Sequence, residues 1–376
     1  MPSSEVKLSA AMIVRDEEHH LEECLLSIQD LVDEIVVVDT GSKDQTVAIA
    51  QRLGARVFDF PWCDDFAAAR NHGLERCHGD WILYIDADER ARPYSRTDLA
   101  DALSNPAEVG CSVLLHARSG YTPYREMRLF RNNPSIRFEG LMHETIWPGI
   151  SRYLEEVGGD IGKCGLVLDH VGYDGPQDHK HKRNLPLLEK ALAENPDHVY
   201  CWYHLGLVFF GLGRPESARQ AWRSGIEAVR RKKYRWATDC LPFVELIQHL
   251  LASGEEVGEL LEEARRLFPD EQQLAWLNGH QMVRDGHLED AVELFEQLIG
   301  ERESGRVDTD LGYDQRQFTS STYATIASCC FQLERYGDAR RYFELAEEHD
   351  PENLEYRTKR LLCEHMAKSG SGPGPF

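Results

Sequence analysis

The sequence predicts an α/β domain followed by an all-α repeat domain, and three observations carry that expectation. From Leu8 to about Val171, short β-branched runs alternate with amphipathic stretches. After Gly172 the strand-like runs give way to apolar residues at helical spacing, continuing to about Lys368. Within that second stretch, small and large residues recur at fixed offsets, as stacked helix pairs require. With 376 residues, 42% of them hydrophobic and 28% charged, the chain has material for two or three cores. The expected divisions are 1–175, 176–368 and a Gly/Pro/Ser-rich disordered tail at 369–376.

Each element has its own signal. Leu8–Val14 reads as a strand, and Glu18–Gln29 as a helix with Leu21, Leu25 and Ile28 on one face. Glu34–Val38 is almost wholly apolar, as a parallel strand buried on both faces should be. Lys43–Leu53 reads as a helix, Arg56–Phe60 as a strand, Asp65–Cys77 as a helix and Trp81–Ile85 as a fourth buried strand. Short joins between alternating elements imply right-handed crossovers, with ligands at the carboxyl ends of the strands. Val38-Asp39 and Ile85-Asp86 place acids at two of those ends. Leu166–Val171 is a further strand, ending in the string His170-Val171-Gly172-Tyr173.

The net charge of −22 argues against sequence-independent nucleic-acid binding, because no basic excess displaces counterions from phosphates. It is compatible with a diphosphate held through a divalent cation on carboxylates. The ten cysteines are scattered, without a CxxC, and read as buried thiols of a reducing compartment. No apolar run reaches membrane-spanning length, and Met1–Glu5 lacks the basic and apolar regions of a signal peptide. The expected location is the cytoplasm.

Trp81-Ile82-Leu83-Tyr84-Ile85-Asp86-Ala87-Asp88-Glu89 is the most informative string. Extended side chains alternate, so Asp86 and Asp88 are expected on one face at the strand end, where two carboxylates suit a hard divalent cation. Three other strings accompany it: Met12-Ile13-Val14-Arg15-Asp16-Glu17, Val37-Val38-Asp39-Thr40-Gly41-Ser42, and Ala67-Ala68-Ala69-Arg70-Asn71. In order and spacing the four resemble the nucleotide-sugar-binding half of inverting, family-2 glycosyltransferases of the GT-A fold, over roughly residues 8–175. The resemblance implies a Rossmann-like mixed sheet and a UDP-linked sugar donor. It implies that Asp39, Arg70 and Asp86 contact the donor and that Asp88 ligates a divalent metal, manganese or magnesium.

An inverting transfer also needs a general base near the acceptor. Phe138-Glu139-Gly140-Leu141-Met142-His143-Glu144 resembles an F-x-G-x-x-H-E element of the repeat-bearing branch of that family. It nominates Glu144 as the base, with His143 and Glu139 as the next choices. His170 is expected to complete the metal shell, by resemblance to strand-end histidines of GT-A enzymes. Arg128 and Arg131 either reach the diphosphate or form the polar face of a half-buried strand. The basic run His179–Arg183 reads as a solvated helical turn.

In the second half, Trp202, Leu205, Gly206, Phe209, Gly213, Ala218 and Trp222 form one repeat copy. Gly279, Met282, Gly286, Ala291 and Phe295 form another, and Tyr323, Ala327, Ala339, Phe343, Ala346 and Pro351 a third. A weaker copy fits Leu241, Leu261, Ala264 and Pro269. The pattern resembles the tetratricopeptide repeat. The whole layout resembles bacterial peptide glycosyltransferases that modify glycocins, which implies a peptide or protein acceptor and a repeat domain suited to acceptor binding or homodimerisation. Two alternatives remain: transfer to a glycolipid or polysaccharide precursor, and a repeat-based interaction scaffold with an inactive transferase domain.

Overall fold

Four parallel strands form where the apolar runs lie: β1 Leu8–Val14, β2 Glu34–Asp39, β3 Arg56–Asp59 and β4 Trp81–Tyr84. The computed structural model describes residues 6–117, 120–172, 178–304 and 311–369. Between the strands run α1 Leu21–Ile28, α2 Thr46–Arg52 and α3 Phe66–Leu74. Alternation of period two sorts the strands between two cores: Leu8, Ala10, Met12 and Val37 pack with α1 on one face, Ala11 and Val36 with Leu74 on the other. α2 starts three residues later than expected, because the Asp44 carboxylate accepts the Thr46 N–H at 2.9 Å and stops the chain in a turn.

The chain then builds β5 Glu89–Ala91, α4 Arg96–Ala102, β6 Glu108–His116, β7 Tyr124–Arg131, α5 Trp147–Val157 and β8 Asp160–His170. The eight strands lie in the order β3-β2-β1-β4-β7-β6-β8-β5, so the sheet is mixed. β7 is antiparallel to β4 and β6, β8 runs parallel to β6, and β5 is antiparallel to β8. β5 is at the edge opposite β3, yet it follows β4 after only Ile85–Asp88. At about 3.5 Å per residue that link is short, so the far edge must bend back to the carboxyl end of β4.

All-α structure follows, as expected: α6 Asp178–Glu194, α7 Val199–Gly211, α8 Pro215–Arg231, α9 Leu241–Ala252, α10 Gly258–Leu267, α11 Gln272–Asp285, α12 Leu288–Glu303, α13 Ser320–Gln332, α14 Tyr336–His349 and α15 Leu354–Ser369. The repeat offsets reflect close helix approach. At Gly279 of α11 a Cβ would sit 2.5 Å from the Phe295 ring of α12, which packs into the space the glycine leaves.

Two compact units emerge: Met1–Ser119 with Pro123–Ala221, and Gly120–Thr122 with Trp222–Phe376. The expected junction at 175/176 therefore lies inside the first unit. The reason is a shared core, in which Met142 packs with Leu187, Leu188, Cys201 and Leu205 of α6 and α7. Tyr173 and the expected tail beyond Ser369 lie outside the described residues. All ten cysteines are free, nine of them buried, and no described helix is long and apolar enough to cross a membrane.

Candidate active site

The candidate residues sit at the carboxyl edge of the parallel strands. Asp39 closes β2, in register with Val14 of β1, and Asp86 follows β4 on the other side of β1. β2 and β4 are two strand spacings apart, about 10 Å. The loops after β1 and β2 hold each other: the Asp16 N–H donates to Ser42 Oγ at 3.0 Å and the Lys43 N–H to Asp16 Oδ1 at 2.7 Å. Asp39 is buried and builds its own turn, accepting the Gly41 and Ser42 N–H groups at 3.1 Å each. Gly41 has φ +108°, a conformation that glycine adopts without strain.

α3 is N-capped by Asp65, whose carboxylate accepts the Ala68 N–H at 2.9 Å. Buried Ala67 and Ala69 bring this helix close to the sheet, and Arg70 reaches two carboxylates. Its Nε donates to Glu144 Oε1 at 2.5 Å and its Nη2 to Asp86 Oδ1 at 2.9 Å. The guanidinium lies 5.2 Å from the Tyr84 ring centre and 5.5 Å from that of Phe138, between their aromatic surfaces. Asn71 exchanges two hydrogen bonds of 2.9 Å with the Phe138 backbone, fixing the start of the loop that carries Glu144.

Asp86 and Asp88 do not extend β4 on a common face. The Glu89 N–H returns to the Asp86 carbonyl at 3.0 Å, so the acids occupy a turn and take different partners. Burial would raise the Asp86 pKa, but Arg70 and then Arg128 hold it down at about 2. Asp88 faces His170 instead, with Oδ2 3.3 Å from Nε2. The pairing of β5 with β8 sets Glu89 opposite His170 and makes that meeting possible. Gly172 leaves room for this meeting: a Cβ there would displace the Asp88 carboxylate.

A carboxylate and an imidazole are donor types that a divalent cation accepts, so Asp88 and His170 are the residues that would hold one. Among the described residues no group of three or more His, Cys, Asp or Glu forms a ready cage. The Gly172 N–H donates to His170 Nδ1 at 3.2 Å, so the neutral ring carries its proton on Nε2. A cation at Nε2 would replace that proton and require the Gly172 amide to turn away.

The other base candidates are engaged elsewhere. Glu139 pairs with Arg152 at 2.6 Å. His143, at φ +53°, stacks on His204 of α7 with ring centres 3.8 Å apart, and Tyr200 meets both rings edge-on. Burial, and then His198, push His143 down to about 3, and His204 falls well below the usual histidine range. Both Nε2 atoms are sealed from solvent without a hydrogen-bond partner among the described residues. These rings, with buried Met142, clamp the Glu144 loop between α3 and α7. The sequence shows His204 in the first repeat copy but gives no sign that it meets His143.

Arg128 is buried, neither a strand face open to water nor free for a diphosphate. Its Nη2 donates to Glu89 Oε1 at 2.7 Å, Nη1 is 3.7 Å from Asp86 Oδ2, and the group stacks 4.2 Å from the Tyr84 ring centre. Glu89, fully buried, is pushed up to about 8 by burial, and its Oε2 accepts the Asp86 N–H at 2.9 Å. Sequence reasoning assigned Glu89 no role. Arg131 is turned to the backbone, donating to the Glu108 carbonyl at 3.0 Å. A hollow of about 320 Å³ beside it, lined by Glu108, Tyr153 and Gly158, lies at the amino end of β6, the opposite end from His170. In the basic run, His181 packs its ring against Gly211, and the side chains of His179 and Lys180 lie outside the described residues.

The domain is thus a mixed α/β sheet with an acid–arginine–acid bridge at the carboxyl edge of its parallel strands. Residues 9–152 match the model of glycosyl transferase family 2, and residues 185–229 and 320–353 match tetratricopeptide repeats. The chain carries a family-2 glycosyltransferase domain followed by tetratricopeptide repeats. It is 35% identical over 263 residues to a TPR repeat-containing protein of Synechococcus elongatus, covering 68% of this chain and 63% of that protein. It is 26% identical over 239 residues to the SPbeta prophage-derived glycosyltransferase SunS of Bacillus subtilis, covering 60% and 54%. The aligned regions thus span less than two thirds of either relative. Glucosyl-3-phosphoglycerate synthase from Mycobacterium tuberculosis superposes with a TM-score of 0.39 at 18% identity, covering 50% of this chain and 79% of that one.

Proposed function

We propose that this chain is an inverting, metal-dependent glycosyltransferase that moves a sugar from a UDP-linked donor to a peptide or protein acceptor. One observation carries the reading: Arg70 bridges Asp86 and Glu144 beside the Asp88–His170 pair, at the ligand-binding edge of the sheet. The match of residues 9–152 to family 2 supports it. Asp39 and its turn receive the base or ribose of the donor, and Asp86 sits beside the ribose. Asp88, with His170, would hold a divalent cation that neutralises charge on the departing nucleoside diphosphate. Glu144 accepts the proton of the acceptor nucleophile as that atom bonds to the anomeric carbon and the bond to the diphosphate breaks. Arg70 holds Glu144 in place for that step. Stacked helix pairs offer an extended peptide a concave surface, which supports a macromolecular acceptor.

The test is nucleoside diphosphate release from a panel of UDP-sugars with and without manganese, with peptides and lipid-linked sugars compared as acceptors. The expected result is that wild type turns over only with metal. Asp88→Ala loses roughly 10²-fold or more in rate, the scale of several kcal/mol of leaving-group stabilisation, with an unchanged melting temperature. Full activity in EDTA would remove the metal from the reading, and turnover only with lipid-linked sugars would replace the acceptor class.

A further inference from the structure

We propose that the turn from the end of α8 into α9, Arg230–Trp236, is a docking site for an anionic phospholipid surface. Its sequence is Arg230-Arg231-Lys232-Lys233-Tyr234-Arg235-Trp236: five cations and two aromatics in succession, in a chain with 42 basic and 64 acidic residues. Tyr234 is 75% and Trp236 57% exposed, an unusual placement for two large rings. Lys233, Tyr234, Arg235 and Trp236 form an unbroken exposed stretch.

The display is pre-organised. Buried Asp239 accepts the Trp236 N–H at 2.9 Å and the Lys232 ammonium at 2.8 Å, which pins both ends of the turn. Arg230 is tied to Glu263 at 2.8 Å and to Glu227 at 2.5 Å. Lys233 and Arg235 have no carboxylate partner among the described residues, and the Lys233 Nζ lies 5.1 Å from the Tyr234 ring centre. Two open cations thus flank Tyr234, and Trp236 stands next to the second.

This chemistry matches the headgroup layer of a bilayer, where basic side chains meet anionic lipids and Tyr and Trp seat their rings at the boundary. A planar surface needs only the tip of such a turn. The acid excess elsewhere repels it weakly, because charges beyond about 8 Å are screened at physiological salt. A polynucleotide fits less well, since it requires a continued basic track and here Glu216 and Glu227 interrupt the arginines before the turn while Asp239 follows it. The proposal is independent of the transfer reading, and no readout below uses activity.

The experiment is co-sedimentation of the full chain with vesicles of phosphatidylcholine alone, or with about a third phosphatidylglycerol, in about 0.1 M salt. The expected result is binding to the anionic vesicles only, weakened at about 0.5 M salt. Lys233→Glu/Arg235→Glu should lower the partition coefficient at least about tenfold, and Tyr234→Ala/Trp236→Ala several-fold, with unchanged circular dichroism melts. Wild-type protein that stays in the supernatant would overturn the proposal. So would charge-reversed protein that binds like wild type, or a single-stranded oligonucleotide that binds this turn while vesicles do not.

Discussion

The carboxyl edge of the sheet and the helical repeats use their interiors in opposite ways. The sheet buries Arg128 and Glu89 and holds Arg70, Asp86 and Glu144 in a largely covered network. The repeats bury apolar rings and small residues, as Phe295 against Gly279, with Ala218, Trp222, Ala339 and Phe343 all buried. Desolvated charges are a poor source of stability and are tolerated only when each has a partner. Their concentration at one sheet edge is what separates a reactive region from a packed one. Changes at the edge should therefore alter the rate of the chemical step, and changes in the repeats should alter stability without altering kcat.

The sharpest break comes from Glu144→Gln. The amide oxygen can still accept from Arg70, so the fold should hold while transfer falls about 10² to 10⁴-fold and donor affinity changes little. Near wild-type transfer would move the base elsewhere, with Glu139 next to test. Arg70→Ala leaves Asp86 and Glu144 without their shared cation and should cost about 3–5 kcal/mol in urea melts, along with activity. A loss under 1 kcal/mol would mean that water replaces the guanidinium easily.

In the repeats, Gly279→Ala forces a methyl against the Phe295 ring and should cost about 1–3 kcal/mol with kcat unchanged. A lowered kcat in the folded variant would tie the repeats to the chemistry. The last test is the pH response of the histidine stack. His143 is depressed to about 3 and His204 further, so both rings are neutral in the folded chain near neutral pH. Unfolded histidines titrate near ~6.5, so below that the unfolded chain binds more protons. Stability is therefore fully present above about 6.5 and is lost as pH falls, by at most ~1.4 kcal/mol per pH unit for each ring. Asp86, at about 2, is likewise lowered, and its contribution fades only below ~4. Between pH 7 and 5 Glu89, raised to about 8, and Glu245, raised to about 7, respond in the opposite sense, so the stack is read from the difference between variant and wild type, and His204→Phe should lose less stability on acidification. An equal slope in wild type and variant would show that the stack opens freely to solvent.

Much of this was legible before any coordinates. The strands β1 to β4 and the helices between them follow from period-two and period-3.6 patterns within a few residues of each other. The repeat copies at 202–222 and 323–351 fall in segments that match tetratricopeptide models. Asp39, Arg70, Asp86 and Asp88 stand out because they end apolar runs or follow small residues. Arg128 was legible as a candidate but not as a buried partner of Glu89, because the two are brought together by the antiparallel entry of β7 beside β4.

The sequence by itself determined the α/β-then-α order, the parallel strands and their acidic ends, because these arise from contacts among near neighbours. Only the tertiary structure decided that Asp86 and Asp88 turn to different partners, that His170 meets Asp88, and that His204 stacks on His143. Those meetings depend on the register of β5 against β8 and on α7 packing over the 139–145 loop. No local periodicity encodes the pairing of segments that are 60 or more positions apart. It is fixed only when long-range burial offsets the entropy of closing the loops between them.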